Sequence, residues 1–175
     1  MKLLVSFAST EGQTHKIAER IGARAREQGH DISLYDSGSV VEIPDVEAFD
    51  AVIVAASVHD GLHQDSIVNF AIAHRDQLSR KLSAFISVSL SAALEDGEAE
   101  AQGYVDRFTD ATHWSPRRTL ILGGALRYSE YDYFERQILK YIVAKHGATP
   151  DPSGNHEFTD WMRLDSFVDA FLAGT

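Results

Sequence analysis

The sequence contains no cysteine, and this absence removes whole classes of chemistry. Disulfide bonds, thiolate catalysis and metal sites built on cysteine are all excluded. Long apolar runs are missing as well, since none reaches the ~18 residues that a membrane-spanning helix needs. The chain enters a strand pattern at once, without the charged and apolar segments of a secretory leader, so we expect no signal peptide. Internal repeats and low-complexity segments are also lacking.

Positive charge is scarce relative to negative charge. The chain has 16 lysines and arginines against 26 aspartates and glutamates, which gives a net charge of −10 at pH 7. This balance argues against nucleic-acid binding and against broad attraction to anionic lipid. Among the 175 residues, 44% are hydrophobic and 24% are charged, as in an ordinary soluble globular protein. We therefore expect one domain over residues 1–175.

Apolar segments alternate along the chain between strand-like and helix-like patterns. Five apolar runs predict strands at residues 2–7, 31–35, 51–56, 83–90 and 119–123. Helical spacing predicts helices around residues 17–25, 67–78, 101–108 and 161–172, the last one capped by Thr159 or Asp160. Several strands are apolar on both faces, which indicates a parallel sheet covered on both sides. The expected fold class is α/β, a doubly wound five-stranded parallel sheet of order 2-1-3-4-5 with its ligand at the carboxyl ends of the strands.

A hydroxyl-rich turn joins the first strand to the first helix. Ser9, Thr10 and Thr14 offer three hydroxyl donors beside a helix N-terminus, whose unpaired N–H groups and partial positive charge attract anions. The lysine of a nucleoside-triphosphate P-loop is missing, because Gln13 follows Gly12. A single glycine also cannot form the three-glycine dinucleotide fingerprint. The turn therefore fits one terminal phosphate, and the alternative is an ordinary capped loop.

One segment, about residues 127–147, departs from the simple alternation. It is rich in tyrosine, and its second half has the apolar stripe of an amphipathic helix. Four basic residues against three acidic ones give it a net charge of +1 in a chain of −10. The stripe fits either core packing or an interfacial surface, and both alternatives stay open. Arg127 is the basic residue closest to the expected cleft, where it would bind a carboxylate or form a surface salt bridge.

Four short motifs resemble a known family. Ser9-x-x-Gly12-x-Thr14 after the first strand resembles the FMN-phosphate loop of flavodoxins. Three further segments are similar to the menaquinone-dependent protoporphyrinogen IX dehydrogenases, which are flavodoxin-like enzymes of haem biosynthesis. These segments are Ala55-Ala56-Ser57-Val58, Gly124-Ala125-Leu126-Arg127-Tyr128 and Thr159-Asp160-Trp161. The resemblance covers nearly the whole chain, and its more specific part is the Gly-Ala-Leu-Arg-Tyr stretch with the insert that follows.

The resemblance implies a flavodoxin-like fold with an inserted helical segment after the fifth strand, and non-covalently bound FMN. It implies oxidation of a porphyrinogen-type substrate and transfer of the electrons to a membrane quinone. The flavin would carry the chemistry, so we expect no catalytic side chain and no metal. A cytoplasmic location follows, with peripheral contact at the inner face of the cell membrane through the insert.

The resemblance also assigns roles to individual residues. The phosphate would be held by Ser9, Thr10, Glu11, Gly12, Gln13 and Thr14. The isoalloxazine ring would be flanked by Ser57, Val58, His59, Asp60 and Gly61 in the loop 57–63, and by Ser89, Leu90, Ser91 and Ala92 in the loop after the fourth strand. Arg127 and Tyr128 would contact the substrate.

Two departures from the family pattern favour other functions. The loop 57–63 has no tyrosine or tryptophan to stack on a flavin, which favours a flavodoxin-like binding module that has lost its cofactor. Acidic residues cluster at Glu95, Asp96, Glu98 and Glu100, where they would repel porphyrinogen carboxylates and acidic lipid. With the acidic balance of the whole chain, this cluster favours an electron carrier or regulatory flavin-binding domain without its own substrate.

The histidine pair in the loop 57–63 is a weak metal motif. His59 and His63 stand four residues apart, a spacing that places two ligands together on a helix. Gly61 lies between them in a predicted loop, so flavin contact or solvent exposure is the better interpretation.

Overall fold

A parallel sheet of five strands forms the centre of the fold. The computed structural model describes residues 1–39, 42–127 and 155–174. The strands are β1 (Lys2–Ala8), β2 (Asp31–Asp36), β3 (Ala51–His59), β4 (Leu82–Ser89) and β5 (Arg118–Gly123). They lie in the order β2-β1-β3-β4-β5, and Val5 of β1, for example, pairs with Leu34 on one side and Ile53 on the other. The predicted fold class and strand order are confirmed.

Helices cover both faces of this sheet. They are α1 (Gln13–Glu27), α2 (Asp65–Ala73), α3 (Arg75–Arg80), α4 (Glu98–Thr112) and α5 (Trp161–Leu172). Successive strand residues point to opposite faces, so Leu3 packs with α1 and α5 while Leu4 packs with α2, α3 and α4. In the part of the chain that the structure describes, no helix is both long and apolar enough to cross a bilayer.

The single helix expected around residues 67–78 is divided in two. His74 interrupts it with a φ of −112°, and its ring lies against Phe70 with 4.8 Å between ring centroids. Ile67 and Leu78 are both fully buried, so the apolar period continues through the break. Neither glycine nor proline marks the position, which is why the sequence pattern does not reveal it.

Two three-residue strands that the sequence pattern did not predict lie beyond β5. They are β6 (Ala125–Arg127) and β7 (Asn155–Glu157), which pair in antiparallel register with Ala125 opposite Glu157. Most of the predicted insert, including Tyr128 and its apolar stripe, lies outside the described residues. Arg127 is the last residue of β6.

Charged contacts fix α5 against α1. The guanidinium of Arg20 binds the carboxylate of Asp165 through two hydrogen bonds, and Arg24 binds Asp169 in the same way. The carboxylate of Asp160 caps α5 by accepting from the N–H of Arg163 at 2.9 Å. These ion pairs hold α5 alongside α1.

Candidate functional site

A cleft opens at the carboxyl ends of β1, β3 and β4. This edge is where open α/β sheets bind their ligands, at the point where the strand order reverses. The turn after β1 forms one side, the ends of β3 and β4 form the other, and the start of β6 borders it. The lining residues are Ser9, Thr10, Glu11, Gln13, Thr14, Ser57, Val58, His59, Val88, Ser89, Leu90, Gly124 and Ala125. This set contains no lysine or arginine, so the described cleft would hold an anion through N–H and O–H groups.

The turn after β1 leaves the N-terminus of α1 open to an anion. Gly12 has a φ of 87°, in the left-handed region that favours glycine, and no side chain of the described residues caps the helix there. The N–H of Gly12 donates to Oγ of Ser9 at 2.9 Å, which leaves the Ser9 hydroxyl proton for a ligand. The first N–H groups of an α-helix have no intrahelical acceptor and carry a partial positive charge. The turn therefore combines hydroxyl donors with a helix end that favours negative charge.

Two buried polar atoms beside this helix end have no partner among the described residues. One is Oγ1 of Thr14, on a fully buried side chain, and the other is Oε1 of Gln13, whose side chain is 4% exposed. An unsatisfied buried polar group costs ~1–3 kcal/mol, so native proteins rarely keep one without a ligand or a water. The Thr14 hydroxyl can donate to an anion, and the Gln13 oxygen can accept from a ligand hydroxyl. These atoms fit a ligand with both an anionic and a hydroxyl-bearing part.

Gln64 joins the two sides of the cleft, and the sequence analysis missed it. Its Nε2 donates to Oγ1 of Thr10 at 2.9 Å and to Oγ of Ser57 at 2.6 Å. Both hydroxyls therefore act as acceptors toward the protein and keep a proton for a ligand. Gln64 stands immediately before α2. Nothing in the sequence around it indicates that its amide reaches two segments more than six residues away.

A β-hairpin forms the wall of the cleft across from the turn after β1, at a position where the sequence pattern predicts a loop. β3 continues to His59 and pairs with a short return strand, Leu62–His63, so that Val58 faces His63 and His59 faces Leu62. The turn between them is Asp60-Gly61, with φ values of 49° and 76°. An Asp-Gly pair with two positive φ angles is typical of a type I′ turn, and this signal could have predicted the hairpin.

We expect Gly61→Ala to destabilise the protein by about 1 kcal/mol, because alanine disfavours a positive φ. The new Cβ would also lie 3.3 Å from Nη1 of Arg107. The matched control is Gly103→Ala on α4, where a Cβ would meet no atom of the described residues within 4 Å. That substitution should stabilise the protein by a similar amount through helix propensity. Urea denaturation of both variants tests the pair, and equal effects of the same sign would contradict the turn assignment.

Gln13 connects the turn after β1 to the segment after β5. Its Nε2 donates to Oγ1 of Thr159 at 2.8 Å, and the Thr159 hydroxyl donates to the carbonyl of Gly123 at 2.8 Å. A Cβ on Gly123 would lie 2.7 Å from the carbonyl oxygen of Phe158, so glycine permits this close approach. Thr159 therefore links the two segments, while Asp160 provides the cap of α5.

Glu157 strengthens the same connection from β7. Its carboxylate accepts from Nζ of Lys16 at 3.1 Å and from Nε1 of Trp161 at 2.8 Å. Burial alone would raise the pKa of Glu157, but hydrogen bonds from Trp161, Lys16 and Gln13 outweigh it and lower that pKa. The carboxylate is therefore ionised at neutral pH and holds β7 against the start of α1.

Most of the predicted cofactor residues lie together in the cleft, and five do not line it. The lining includes Ser9, Thr10, Glu11, Gln13, Thr14, Ser57, Val58, His59, Ser89 and Leu90. Gly12 shapes the turn, Asp60 and Gly61 form the hairpin tip, and Ser91 and Ala92 belong to a short 3₁₀ turn. Val88, Gly124 and Ala125 line the cleft without having been predicted. Cofactor binding by the predicted residues stays a prediction, as does substrate binding by Arg127 and by Tyr128, which lies outside the described residues.

His63 is neither a lining residue of the cleft nor solvent-exposed. It is 6% exposed, with one ring nitrogen 3.0 Å from Oγ of Ser87 and its ring packed edge-on against Phe85 and Phe108. The expected solvent exposure is therefore wrong for His63, because the hairpin turns its side chain inward. His59 remains in the cleft lining, with Nε2 3.5 Å from a carboxylate oxygen of Asp60.

Comparison with known proteins shows the family of the chain and a similar protein. Residues 4–153 match the family model for the flavodoxin domain. The chain is similar to protoporphyrinogen IX dehydrogenase [quinone] of Escherichia coli strain K12, at 30% identity over 169 residues that cover 96% of this chain and 93% of that protein.

Solved structures with lower sequence identity to this chain share its fold. Oxidised flavodoxin 1 from Bacillus cereus matches with a TM-score of 0.60 and 19% identity, covering 100% of this chain and 99% of the other. A flavodoxin mutant from Fusobacterium nucleatum, bound to flavin mononucleotide, matches with a TM-score of 0.50 and 12% identity over 98% of this chain and 93% of the other.

Proposed function

The chain belongs to the flavodoxin family, and on that premise we propose that it is an FMN-dependent protoporphyrinogen IX dehydrogenase that passes electrons to a quinone. The binding of FMN is supported mainly by the group of hydrogen-bond donors at the start of α1. Hydroxyls of Ser9, Thr10 and Thr14 surround an uncapped helix N-terminus, and the Thr14 hydroxyl is buried without a partner in the described structure. The relative at 30% identity is named for the proposed reaction.

Different residues of the cleft fit the phosphate, the ribityl chain and the ring of FMN. Ser9, Thr10 and Thr14 hold the phosphate with the helix N–H groups, in a site that needs no cation. Ser57 and the amide oxygen of Gln13 meet the hydroxyls of the ribityl chain. The aliphatic and glycine positions near the ends of β3 and β4 flank the ring, and these are Val58, Val88, Leu90, Gly124 and Ala125. Bound there, FMN supplies the oxidation–reduction chemistry, and the protein supplies position and electrostatics.

We place the binding of the substrate beside the cofactor cleft, at the end of β6. Ala125 lines the cleft, and Arg127 ends the same strand two residues later. We assign to Arg127 and Tyr128 the role of contacting a porphyrinogen carboxylate, because a guanidinium pairs well with carboxylates. Contact with a membrane through the insert, and a cytoplasmic location, belong to the same proposal.

Anaerobic oxidation of protoporphyrinogen by the purified protein tests this function. We expect porphyrin fluorescence to rise when FMN-loaded protein receives both the substrate and menadione as quinone. FMN-free protein in the same mixture measures the uncatalysed background. If the loaded protein forms no more porphyrin than the FMN-free protein does, the proposed activity is wrong.

An electron carrier is the second candidate, and one surface feature favours it. Glu95, Glu98 and Glu100 are exposed at the start of α4, close in sequence to Leu90 of the cleft. Acidic surfaces of this kind dock basic partners and repel anionic substrates. A loaded protein that exchanges electrons with a basic redox protein, and does not oxidise protoporphyrinogen, would support the carrier instead.

A further inference from the structure

A second cavity lies between the β3 hairpin, α2 and α4. Its volume is about 150 Å³. Leu62, Val68, Tyr104, Phe108 and Ala111 supply mostly apolar walls, while Arg107 adds a cation and Asp65 adds a carboxylate. None of these seven residues lines the cleft described above. The cavity is therefore a separate space with its own chemistry.

The volume of the cavity limits the size of the ligand that it can hold. A closed apolar protein cavity of about 150 Å³ takes up one benzene ring. The present cavity is open on one side, where Leu62 is 61% exposed at its rim. It therefore fits a head group of one or two rings that continues into solvent or lipid, and it is too small for a four-ring macrocycle.

The polar groups of the cavity favour an uncharged ligand with carbonyl oxygens. The guanidinium of Arg107 lies 5.2 Å from the centre of the Tyr104 ring, and its Nη1 donates to the carbonyl of Gly61 at 2.7 Å. A guanidinium has five N–H donors, so further donors are available to a ligand. Burial lowers the pKa of His63 to about 4, so its ring in the cavity wall is neutral at pH 7. The carboxylate of Asp65 also lines the cavity and would repel an anion, so a flat uncharged ring with carbonyl acceptors matches these walls better.

The hairpin places this cavity next to the cofactor cleft. Val58 and His59 line the cleft, and their register partners His63 and Leu62 line the cavity. Neighbouring strands lie ~4.8 Å apart, so one hairpin width separates the two spaces. Electrons can cross such a distance without direct contact between donor and acceptor.

We propose that this cavity binds the head group of the quinone acceptor, with the ring against Tyr104 and Phe108 and a quinone carbonyl accepting a hydrogen bond from Arg107. The proposal rests on the proposed function, because that function supplies the electrons. In each two-electron step of porphyrinogen oxidation, the substrate releases two electrons and two protons in the cleft. The protons leave to solvent, and the quinone takes up the two electrons together with two protons from water at the open rim. It leaves as the quinol, while the substrate is oxidised in the separate cleft.

Ala111→Phe tests the proposal by filling the cavity from the exposed side of α4. The matched control is Ala99→Phe, which makes the same change at an exposed position of the same helix outside the cavity. The first measurement is calorimetric titration of FMN-free protein with menadione. We expect the wild type and Ala99→Phe to bind alike, and Ala111→Phe to bind at least about tenfold more weakly.

The second measurement follows the oxidative half-reaction alone. FMN-loaded protein is reduced anaerobically with protoporphyrinogen and then mixed with subsaturating menadione or with oxygen. We expect Ala111→Phe to slow reoxidation by menadione at least about tenfold, and to leave both substrate-driven reduction and reoxidation by oxygen unchanged. Arg107→Lys should slow the menadione step while keeping the positive charge, because lysine lacks the planar fork of N–H donors.

The outcomes separate this proposal from the proposed function. Menadione binding and reoxidation that are unaffected by Ala111→Phe would overturn the cavity assignment, even if porphyrinogen oxidation is confirmed. Loss of menadione binding when FMN fills the cleft would overturn it as well, because the quinone would then share the cofactor space. Cavity-dependent menadione binding in a protein that oxidises no protoporphyrinogen would retain the site and reject the proposed reaction.

Discussion

Replacing Thr14 with valine is expected to weaken FMN binding by about 10- to 100-fold and to leave the FMN-free protein as stable as before or more so. The two effects have opposite signs for one physical reason. The Thr14 hydroxyl is buried without a partner in the described structure, so a methyl group in its place removes an unsatisfied polar atom. The same change removes a hydrogen bond to a charged phosphate, which contributes ~1.5–3 kcal/mol.

Fluorescence titration with FMN and thermal unfolding of the FMN-free protein measure the two effects separately. Thr14→Ser keeps the hydroxyl and should retain FMN affinity to within a few-fold. Thr109→Val makes the same exchange on α4, away from the cleft, and should leave FMN affinity unchanged. A Thr14→Val protein that binds FMN normally would remove this hydroxyl from the phosphate site.

The FMN-free protein should lose about 3 kcal/mol of unfolding free energy between pH 7 and pH 4 through His63 alone. Burial lowers the pKa of His63 from an ordinary value of 6.5 to about 4. Between these values the unfolded chain binds a proton that the folded protein excludes, so stability is complete above pH 6.5 and declines as the pH falls toward 4. Each unit of pKa difference corresponds to ~1.4 kcal/mol.

The difference between the wild type and His63→Gln isolates this contribution from the carboxylates that titrate in the same range. Urea denaturation at half-unit pH steps should give a shallower decline for the variant. Burial also lowers the pKa of His74, which adds to the decline of both proteins with the same sign. His15→Gln replaces an exposed histidine on α1 and should follow the wild type. Parallel curves for the wild type and His63→Gln would show that His63 is not held neutral by the fold.

The sequence could predict the sheet and its helices because long apolar elements dictate them. Leu3, Val5 and Ile53 belong to strands that are buried on both faces, and such continuous apolar runs indicate a central parallel sheet. The stripe of Ile17 and Ile21 likewise predicts a helix packed on that sheet. The order of the strands and the placement of helices on both faces of the sheet follow from the alternation of these elements and from the rules that govern their connections.

The short elements depend on turn chemistry and tertiary contacts that apolar periodicity does not record. The hairpin at Asp60-Gly61 was predictable from its turn residues, although the period-2 pattern there is only two residues long on the return strand. The strands β6 and β7 are three residues each, and their pairing joins positions about 30 residues apart. The break at His74 has no glycine or proline to mark it.

In the candidate site, too, some features follow from the local sequence, and others depend on contacts between residues that are distant in the chain. Ser9, Gly12 and Thr14 form a local motif whose chemistry can be derived from residue types and spacing. Gln64 joins Thr10 to Ser57 only because the fold brings the turn after β1 beside the hairpin, and no spacing rule indicates this contact. The inward turn of His63 has a similar origin, since the hairpin register decides which side of the strand faces the core.

The central claim is that the N-terminus of α1 holds the phosphate of FMN, and a comparison of FMN with riboflavin tests it most directly. The two molecules differ only in that phosphate, so titration of the FMN-free protein with each of them isolates its contribution. We predict that FMN binds at least about 100-fold more tightly than riboflavin, through hydrogen bonds from hydroxyls and helix N–H groups to a charged group. Equal affinity for riboflavin and FMN, or binding of neither, would contradict it.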